Sequence, residues 1–243
     1  MSSAWLTADW PAPPQVRTCV TTREGGSSVA PWAGLNLGSH VGDDPAAVAA
    51  NRTVLVDSLG CVPAWLEQTH GTTVVPADPT QVMDADASWT DQPGIACTIM
   101  TADCLPVLFC DRAGTRVAAA HAGWRGLAGG ILEQTIEALR TPENELLVWF
   151  GPAIGPTAFE VGAEVRQVFV EHDPAAEQAF EASTRPGHHL ADIYQLARLR
   201  LQRAGVNAVH GGGLCTVNDA QRFYSYRRDG TTGRFASLIW LAS

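Results

Sequence analysis

Apolar residues along the chain fall into short unbroken runs separated by polar, glycine-rich punctuation. Six of these runs predict strands: TVVPA from 73, IACTIM from 95, LPVLFC from 105, RVAAAH from 116, ELLVWF from 145 and FASLIWL from 235. Runs that are apolar at successive positions suit strands covered on both faces. Between them lie helical periodicities. DDPAAVAANRTVLVDSLG at 43–60 has Asp44 placed to cap and Pro45 fitted to the first turn. A second helix is predicted from about Leu127 through ILEQTIEALR, a third over AEVRQVFVEH at 163–172. A fourth covers LADIYQLARLRLQRAG at 190–205, with Leu190, Ile193, Ala197, Leu201 and Ala204 at helical spacing and Gly205 as its stop. No linker, repeat or low-complexity tract divides the chain. The pattern predicts one α+β domain over residues 1–243, its sheet covered by helices.

One helix carries an exception. Val48, Arg52, Leu55 and Leu59 share a stripe on 43–60, so an arginine lies on the face that looks buried. Its stem could lie along the core with its tip in water, or it could donate to an anion in a polar site.

Composition narrows the function. The 243 residues are 46% apolar and 17% charged, with a net charge of −9. That balance argues against a nucleic-acid or anionic-membrane binder, although local basic residues could still hold a small anion. The start, MSSAWLTADWPAPPQV, lacks the basic and apolar segments of a secretory signal, and no apolar run is long enough to span a bilayer. The expected location is cytoplasmic. Six cysteines in such a chain read as thiols. Cys19, Cys61, Cys97 and Cys110 sit among apolar residues, whereas Cys104 and Cys215 have polar surroundings.

The chemistry-bearing residues cluster where apolar runs begin or end. LEQTHGTTVV places His70 just before a strand, IMTADCLPVLF places Asp103 and Cys104 in a short polar break, and AAAHAGWRG places His121 at a strand end. Two imidazoles and a thiolate with a free position suit a catalytic zinc, whose bound water becomes a nucleophile near neutral pH. The same set suits copper. A rival use makes Cys104 a nucleophile with His121 as its base. The two uses exclude each other, since a thiolate engaged by a metal attacks poorly. Oxygen-reducing copper chemistry would need more than the seven histidines present.

Anion-friendly features stand nearby. HAGWRGLAGG leads from strand to helix through Gly123 and Gly126 with Arg125 beside them, and TTREGGSS contains Arg23. In FYSYRRDGTTGR, the arginines Arg227, Arg228 and Arg234 read as a solvated turn between strands.

Taken together, TTREGGSSVAPWAGLNLGSHVGDDPAAVAANRTVL, LEQTHG, TADCLPVLF, AAAHAGWRGLAGG, GPAIGPTAFEVG and CTVNDAQRFYSYRRDGTTGRFASLIWL occur in an order that resembles one family. It is the family called multicopper polyphenol oxidoreductase or laccase-like, and also purine nucleoside phosphorylase and peptidoglycan editing factor. The resemblance runs from about Arg17 to Leu241. It implies a cytoplasmic enzyme with a mixed β-sheet sandwich flanked by helices, similar to the toxin-deamidase and cysteine-hydrolase-like fold. It implies metal ligands at His70, Cys104 and His121. The implied activity is phosphorolysis of adenosine, inosine and methylthioadenosine to free base and ribose 1-phosphate, accompanied by adenosine deamination. Copper-dependent phenol oxidation and amide hydrolysis on cell-wall precursors, the latter through Cys104, are the family's other attributed activities. This chain departs from the pattern at Phe159, at Tyr224 and around Asp86.

On that resemblance the catalytic candidates are Cys104, His70 and Asp103. Asp103 would shuttle a proton in deamination, or would bond turn amides and position Cys104. Arg23, Arg52 and Arg125 are the candidates for phosphate. Asn36, in GLNLGSH, could read purine or ribose edges, or could cap a turn. The expected partners are a purine nucleoside and phosphate, handled by a monomer or weak homo-oligomer.

Overall fold

Strands that are apolar on both faces require cover on both, and two packed sheets with helices outside them supply it. The computed structural model describes residues 5–242, so residues 1–4 of the start discussed above, and residue 243, lie outside it. One sheet has four strands in the order β1 (Val16–Val20), β15 (Phe235–Leu241), β7 (Ile95–Thr101) and β2 (Val62–Ala64). The other has six: β14 (Val209–Gly211), β10 (Leu146–Phe150), β8 (Leu105–Asp111), β9 (Val117–Ala122), β6 (Ala87–Thr90) and β4 (Val74–Pro76). A small third sheet joins β11 (Glu160–Gly162), β13 (His188–Ala191) and β12 (Phe180–Ala182), while β3 (Leu66–Glu67) pairs with β5 (Met83–Asp84). All six predicted strands are present, and the α+β class holds.

Alternation along the strands sorts the core into layers. On β8, Leu105, Val107 and Phe109 face the helices, whereas Leu108 and Cys110 face the four-stranded sheet. On β9, Ala118, Ala120 and Ala122 take the helix side and Val117 and Ala119 the inner side. The inner layer meets Cys97 and Ile99 of β7 and Phe235 and Ile239 of β15. The outer face of that sheet packs Ala96, Met100 and Leu238 with Leu55.

Leu55 belongs to α1 (Pro45–Leu59), which Asp44 caps by accepting from the Ala46 amide and which ends at Gly60 in a left-handed conformation. Its buried stripe is Val48, Asn51 and Leu55, with Arg52 half-buried beside it. The predicted second helix is interrupted. α2 (Trp124–Gly129) and α3 (Ile131–Leu139) are separated by Gly130, whose φ of 103° breaks the run. α4 (Ala163–His172) matches its prediction. α5 (Ile193–Arg203) starts later than predicted, because Asp192 caps it by accepting from the Gln195 amide and His188–Ala191 is drawn into β13. The C-terminal arginine-rich stretch is not a strand-to-strand turn; it contains the short α6 (Tyr226–Asp229), capped by Ser225.

Phe109 is fully buried between the six-stranded sheet and the helices. Phe109→Ala is expected to destabilise the fold by about 3–5 kcal/mol. Urea unfolding should show this as a lower midpoint with an unchanged slope.

Candidate metal centre and the surrounding cleft

Strand register brings the three predicted ligands together. His121 shares its face of β9 with Val117 and Ala119, and it stands at the strand end, where the inner layer opens. Antiparallel pairing sets Leu105 against Ala122, so Cys104 meets the chain at Gly123. On the other flank Ala87 pairs with Ala120, which puts Asp86 beside His121. The loop carrying His70 is fastened at two points. Gln68 brackets Met100 of β7, accepting from its amide at 2.8 Å and donating to its carbonyl at 2.9 Å. Asp86 accepts from the backbone amides of His70 at 2.9 Å and Gly71 at 2.6 Å. His70 itself has a φ of 61°.

The ligand atoms of His70, Cys104 and His121 all lie within 4.8 Å of one another. Cys104 Sγ is 3.8 Å from His70 Nε2, close to the roughly 3.6 Å that sulfur and nitrogen span across one tetrahedral ion. The buried Asp86 carboxylate contacts His121 Nδ1 at 2.8 Å. Burial works to raise Asp86, but hydrogen bonds from His121, Gly71 and Thr69 outweigh it and keep the carboxyl below its usual range. An ionised carboxylate only accepts, so Nδ1 carries the proton and Nε2 is the free donor atom. Burial also acts to raise the Cys104 thiol, and the His121 charge and the bonds from His121 and His70 overcome it, holding the thiol well below its ordinary value. Thiolate and oriented imidazoles are the forms a divalent ion needs. The set therefore fits a metal.

Close approach depends on glycine. A Cβ at Gly123 would sit 2.9 Å from His70 Cδ2 and 3.1 Å from Cys104 Sγ. At Gly126 it would sit 2.8 Å from the Gly71 carbonyl. The glycines of HAGWRG thus make room for the His70 loop.

The trio opens into a cleft of about 460 Å³. Trp124, Ile154, Phe159 and Ile193 give it an apolar wall, and Arg125, Arg227 and Arg234 bring cationic groups to it. Asp103 lines it as well, but both carboxylate oxygens are engaged: Oδ1 accepts from Thr216 Oγ1 at 2.6 Å and Oδ2 from the Arg227 amide at 2.6 Å.

Of the residues singled out from sequence, His70, Cys104, His121, Asp103 and Arg125 line this cleft, and Asn36, Arg23 and Arg52 do not. Asn36 is fully buried, donating to Asp43 and accepting from the amides of Gly38 and Arg234. These contacts are those of the turn-holding role. Arg23 lies over the Tyr224 ring and donates to the Ala33 and Ala220 carbonyls. Arg52 lies 3.9 Å from the Trp65 ring centroid and donates to the Leu37 carbonyl, so its stem and head both serve packing. Arg227 and Arg234, taken for a solvated turn, belong to the cleft instead. Asp86 and Gln68 had no signal beyond their proximity to His70 and the strand that follows it.

These features define a metal-competent enzyme cleft at the open end of a two-sheet sandwich. The chain belongs to the family described as multi-copper polyphenol oxidoreductase laccase, which it matches over residues 17–242. It is 66% identical over 239 residues to a purine nucleoside phosphorylase of Pseudomonas aeruginosa, covering 98% of this chain and 99% of that protein. A protein named purine nucleoside phosphorylase YfiH, of Escherichia coli, is 51% identical over 243 residues, with 98% and 99% covered. Among solved structures, a protein of Neisseria meningitidis superposes with a TM-score of 0.97 at 55% identity, covering 99% of this chain and all of that one. YlmD from Geobacillus stearothermophilus superposes at 0.92 with 32% identity, over 100% and 98%.

Replacing Asp86 removes the partner of His121 Nδ1 and unfastens the His70 loop. Asp86→Asn is expected to weaken metal binding about 10–100-fold. Competition with a chelator measures it, and an unchanged circular dichroism spectrum separates it from unfolding.

Proposed function

We propose that this chain is a metal-dependent purine nucleoside phosphorylase, a single catalytic unit of the cytoplasm that converts adenosine, inosine and methylthioadenosine to free base and ribose 1-phosphate. The observation that carries it is the union, in one cleft, of the His70–Cys104–His121 trio, an apolar aromatic wall and three arginines. The relatives named purine nucleoside phosphorylase support the phosphorolytic part of this reading. The cleft volume falls in the range that small-molecule ligands occupy.

His70, Cys104 and His121 would hold zinc, with copper as the alternative, and the ion would supply Lewis-acid polarisation of a substrate atom. The chain's own groups do the rest. Trp124 and Phe159 offer flat apolar surface to a purine. The arginines hold hydrogen phosphate against the ribose and exclude chloride-like competitors by directional hydrogen bonds. A phosphate oxygen forms the new bond to C1′ as the bond from C1′ to the purine nitrogen breaks. The bonding pair leaves with the purine, and the hydrogen lost by hydrogen phosphate ends on the purine nitrogen.

Adenosine deamination, the second activity of this reading, asks more of the site. Its proton carrier would be Asp103, whose oxygens are occupied by Thr216 and Arg227. Phosphorolysis asks nothing of that carboxylate, which is why it ranks first. Attack by Cys104 on an amide requires a thiolate free of metal. Among the described residues no helix is long and apolar enough to cross a membrane, and small-molecule substrates agree with that. A kinship of the sandwich with the toxin-deamidase fold belongs to this same reading.

Purified protein given inosine is expected to release hypoxanthine only when phosphate is present, and to lose that release with a chelator. Hypoxanthine formed at the same rate without phosphate would overturn the assignment.

A further inference from the structure

The cleft's cations raise a question that the nucleoside alone does not answer. Among the described residues, six arginines pair with a carboxylate and none of them lines the cleft, whereas Arg125, Arg227 and Arg234 all line it with no such partner. In a chain of net charge −9, acidic partners are not scarce. Three unpaired guanidinium groups at one cleft are a concentration of positive charge that water alone does not explain.

Arg234 is the most deliberately built of the three. It is half-buried, and its Nη1 donates only to the carbonyls of Thr232 and Gly233, at 3.1 and 3.0 Å. Its backbone is clamped on both sides by the GLNLGSH segment. The Arg234 amide donates to Asn36 Oδ1 at 2.8 Å, and the Arg234 carbonyl accepts from the Leu37 amide at 3.0 Å. Gly38 leaves space for the side chain: a Cβ there would stand 2.8 Å from Arg234 Cγ. Beyond it His40 lines the same cleft. The negative groups that act on Arg234 most strongly are Cys104 and, after it, Asp103, and neither forms an ion pair with it among the described residues. Burial and the absence of a paired carboxylate leave this guanidinium short of an anion.

Arg227 and Arg125 stand at the rim. Arg227 donates to the Ala158 carbonyl and is exposed, and the Arg125 guanidinium carbon lies over the Trp124 ring, 4.4 Å from its centroid. Among the described residues, both retain donors that no protein acceptor takes. Thr101, which also lines the cleft, has a buried hydroxyl with no hydrogen-bond partner among the described residues.

We infer that Arg234, with Arg227 and Arg125 at the rim, forms the oxyanion subsite of the cleft and takes inorganic phosphate, and that Asn36 and Gly38 serve to hold Arg234 in place. This rests on the phosphorolysis reading above for the identity of the oxyanion. The shared chemistry is a tetrahedral phosphoryl group, which a nucleoside monophosphate could also present.

The test titrates the full-length protein with inorganic phosphate, ionic strength being held constant with chloride, and measures steady-state kinetics in parallel. Wild type is expected to bind phosphate saturably. Arg234→Ala should weaken it by at least about tenfold, the loss expected for removing charge-assisted hydrogen bonds. Arg234→Lys should retain part of the affinity, and Arg166→Ala, whose guanidinium pairs with Glu177 on the surface, should match wild type. In turnover, the phosphate KM should rise in Arg234→Ala, Arg227→Ala and Gly38→Ala while the inosine KM holds. If Arg234→Ala does not fold, the exposed Arg227→Ala decides the matter.

Folded variants that bind phosphate as wild type does would overturn the subsite, even if phosphorolysis were intact. Arg234-dependent phosphate binding without phosphate-dependent hypoxanthine release would uphold the subsite and sink the reaction assigned to it. Inosine 5′-monophosphate binding more tightly than phosphate, with the same dependence on Arg234, would overturn free phosphate as the occupant.

Discussion

One buried carboxylate sets the geometry of the whole centre. Asp86 is fully buried and accepts from five donors: the Thr69 amide and hydroxyl, the amides of His70 and Gly71, and His121 Nδ1. An isolated carboxylate in such a place would be too costly to keep ionised. With five donors it is satisfied, and it becomes a rigid node joining the end of β9 to the His70 loop. Its negative charge fixes which nitrogen of His121 is free, and its bonds to three successive residues fix where His70 begins. Without that node, two imidazoles on separate segments would have no reason to share a point.

The rest of the centre inherits its precision from the sheets. Pairing of β8 with β9 places Cys104 beside Gly123, and pairing of β6 with β9 places Asp86 beside His121. Ligands at strand ends are held by the ladder hydrogen bonds of several strands at once, so they are positioned more firmly than ligands on a free loop. The cationic side is built differently. Arg227 comes from the short α6 and Arg234 from the stretch between it and β15, and they are held by contacts to distant segments, Arg234 by Asn36 and Leu37 and Arg227 by Asp103. Metal-competent and cationic groups thus line one cleft, and an anionic chain concentrates unpaired positive charge there.

What the sequence disclosed follows this division. Unbroken apolar runs marked β7, β8, β9, β10 and β15, because strands covered on both faces leave a strong local signal. Shorter strands such as β6 and β13 were missed: ASWT and HHLA carry too few apolar residues, and their pairing partners, not their own propensity, make them strands. Ligands at the ends of apolar runs were legible for the same local reason. The arginines were not. Arg52 shared a stripe with core residues, yet it stacks on Trp65, while Arg234 looked like part of a polar turn and is drawn inward by a segment nearly 200 positions away. No local pattern encodes a contact of that range. For Asn36 the sequence left two roles open, and its side-chain oxygen accepts from the Arg234 backbone.

Asp103 shows why the polar break between β7 and β8 needs an aspartate. Its φ of 104° is a conformation that side chains other than glycine adopt at some energetic expense. Glycine would relieve that strain and lose the side chain. Here the carboxylate reaches Thr216 and the first residues of α6, while the Asp103 carbonyl accepts from the Ile154 amide at 2.8 Å. These three bonds hold the turn in its strained form and so hold Cys104, the next residue, facing His70. The bond from the Arg227 amide also ties that backbone to the residue preceding Cys104. The same side chain therefore joins the turn that carries Cys104 to the segment that carries Arg227. That linkage gives the aspartate a structural reason to be present whatever part it takes in proton transfer.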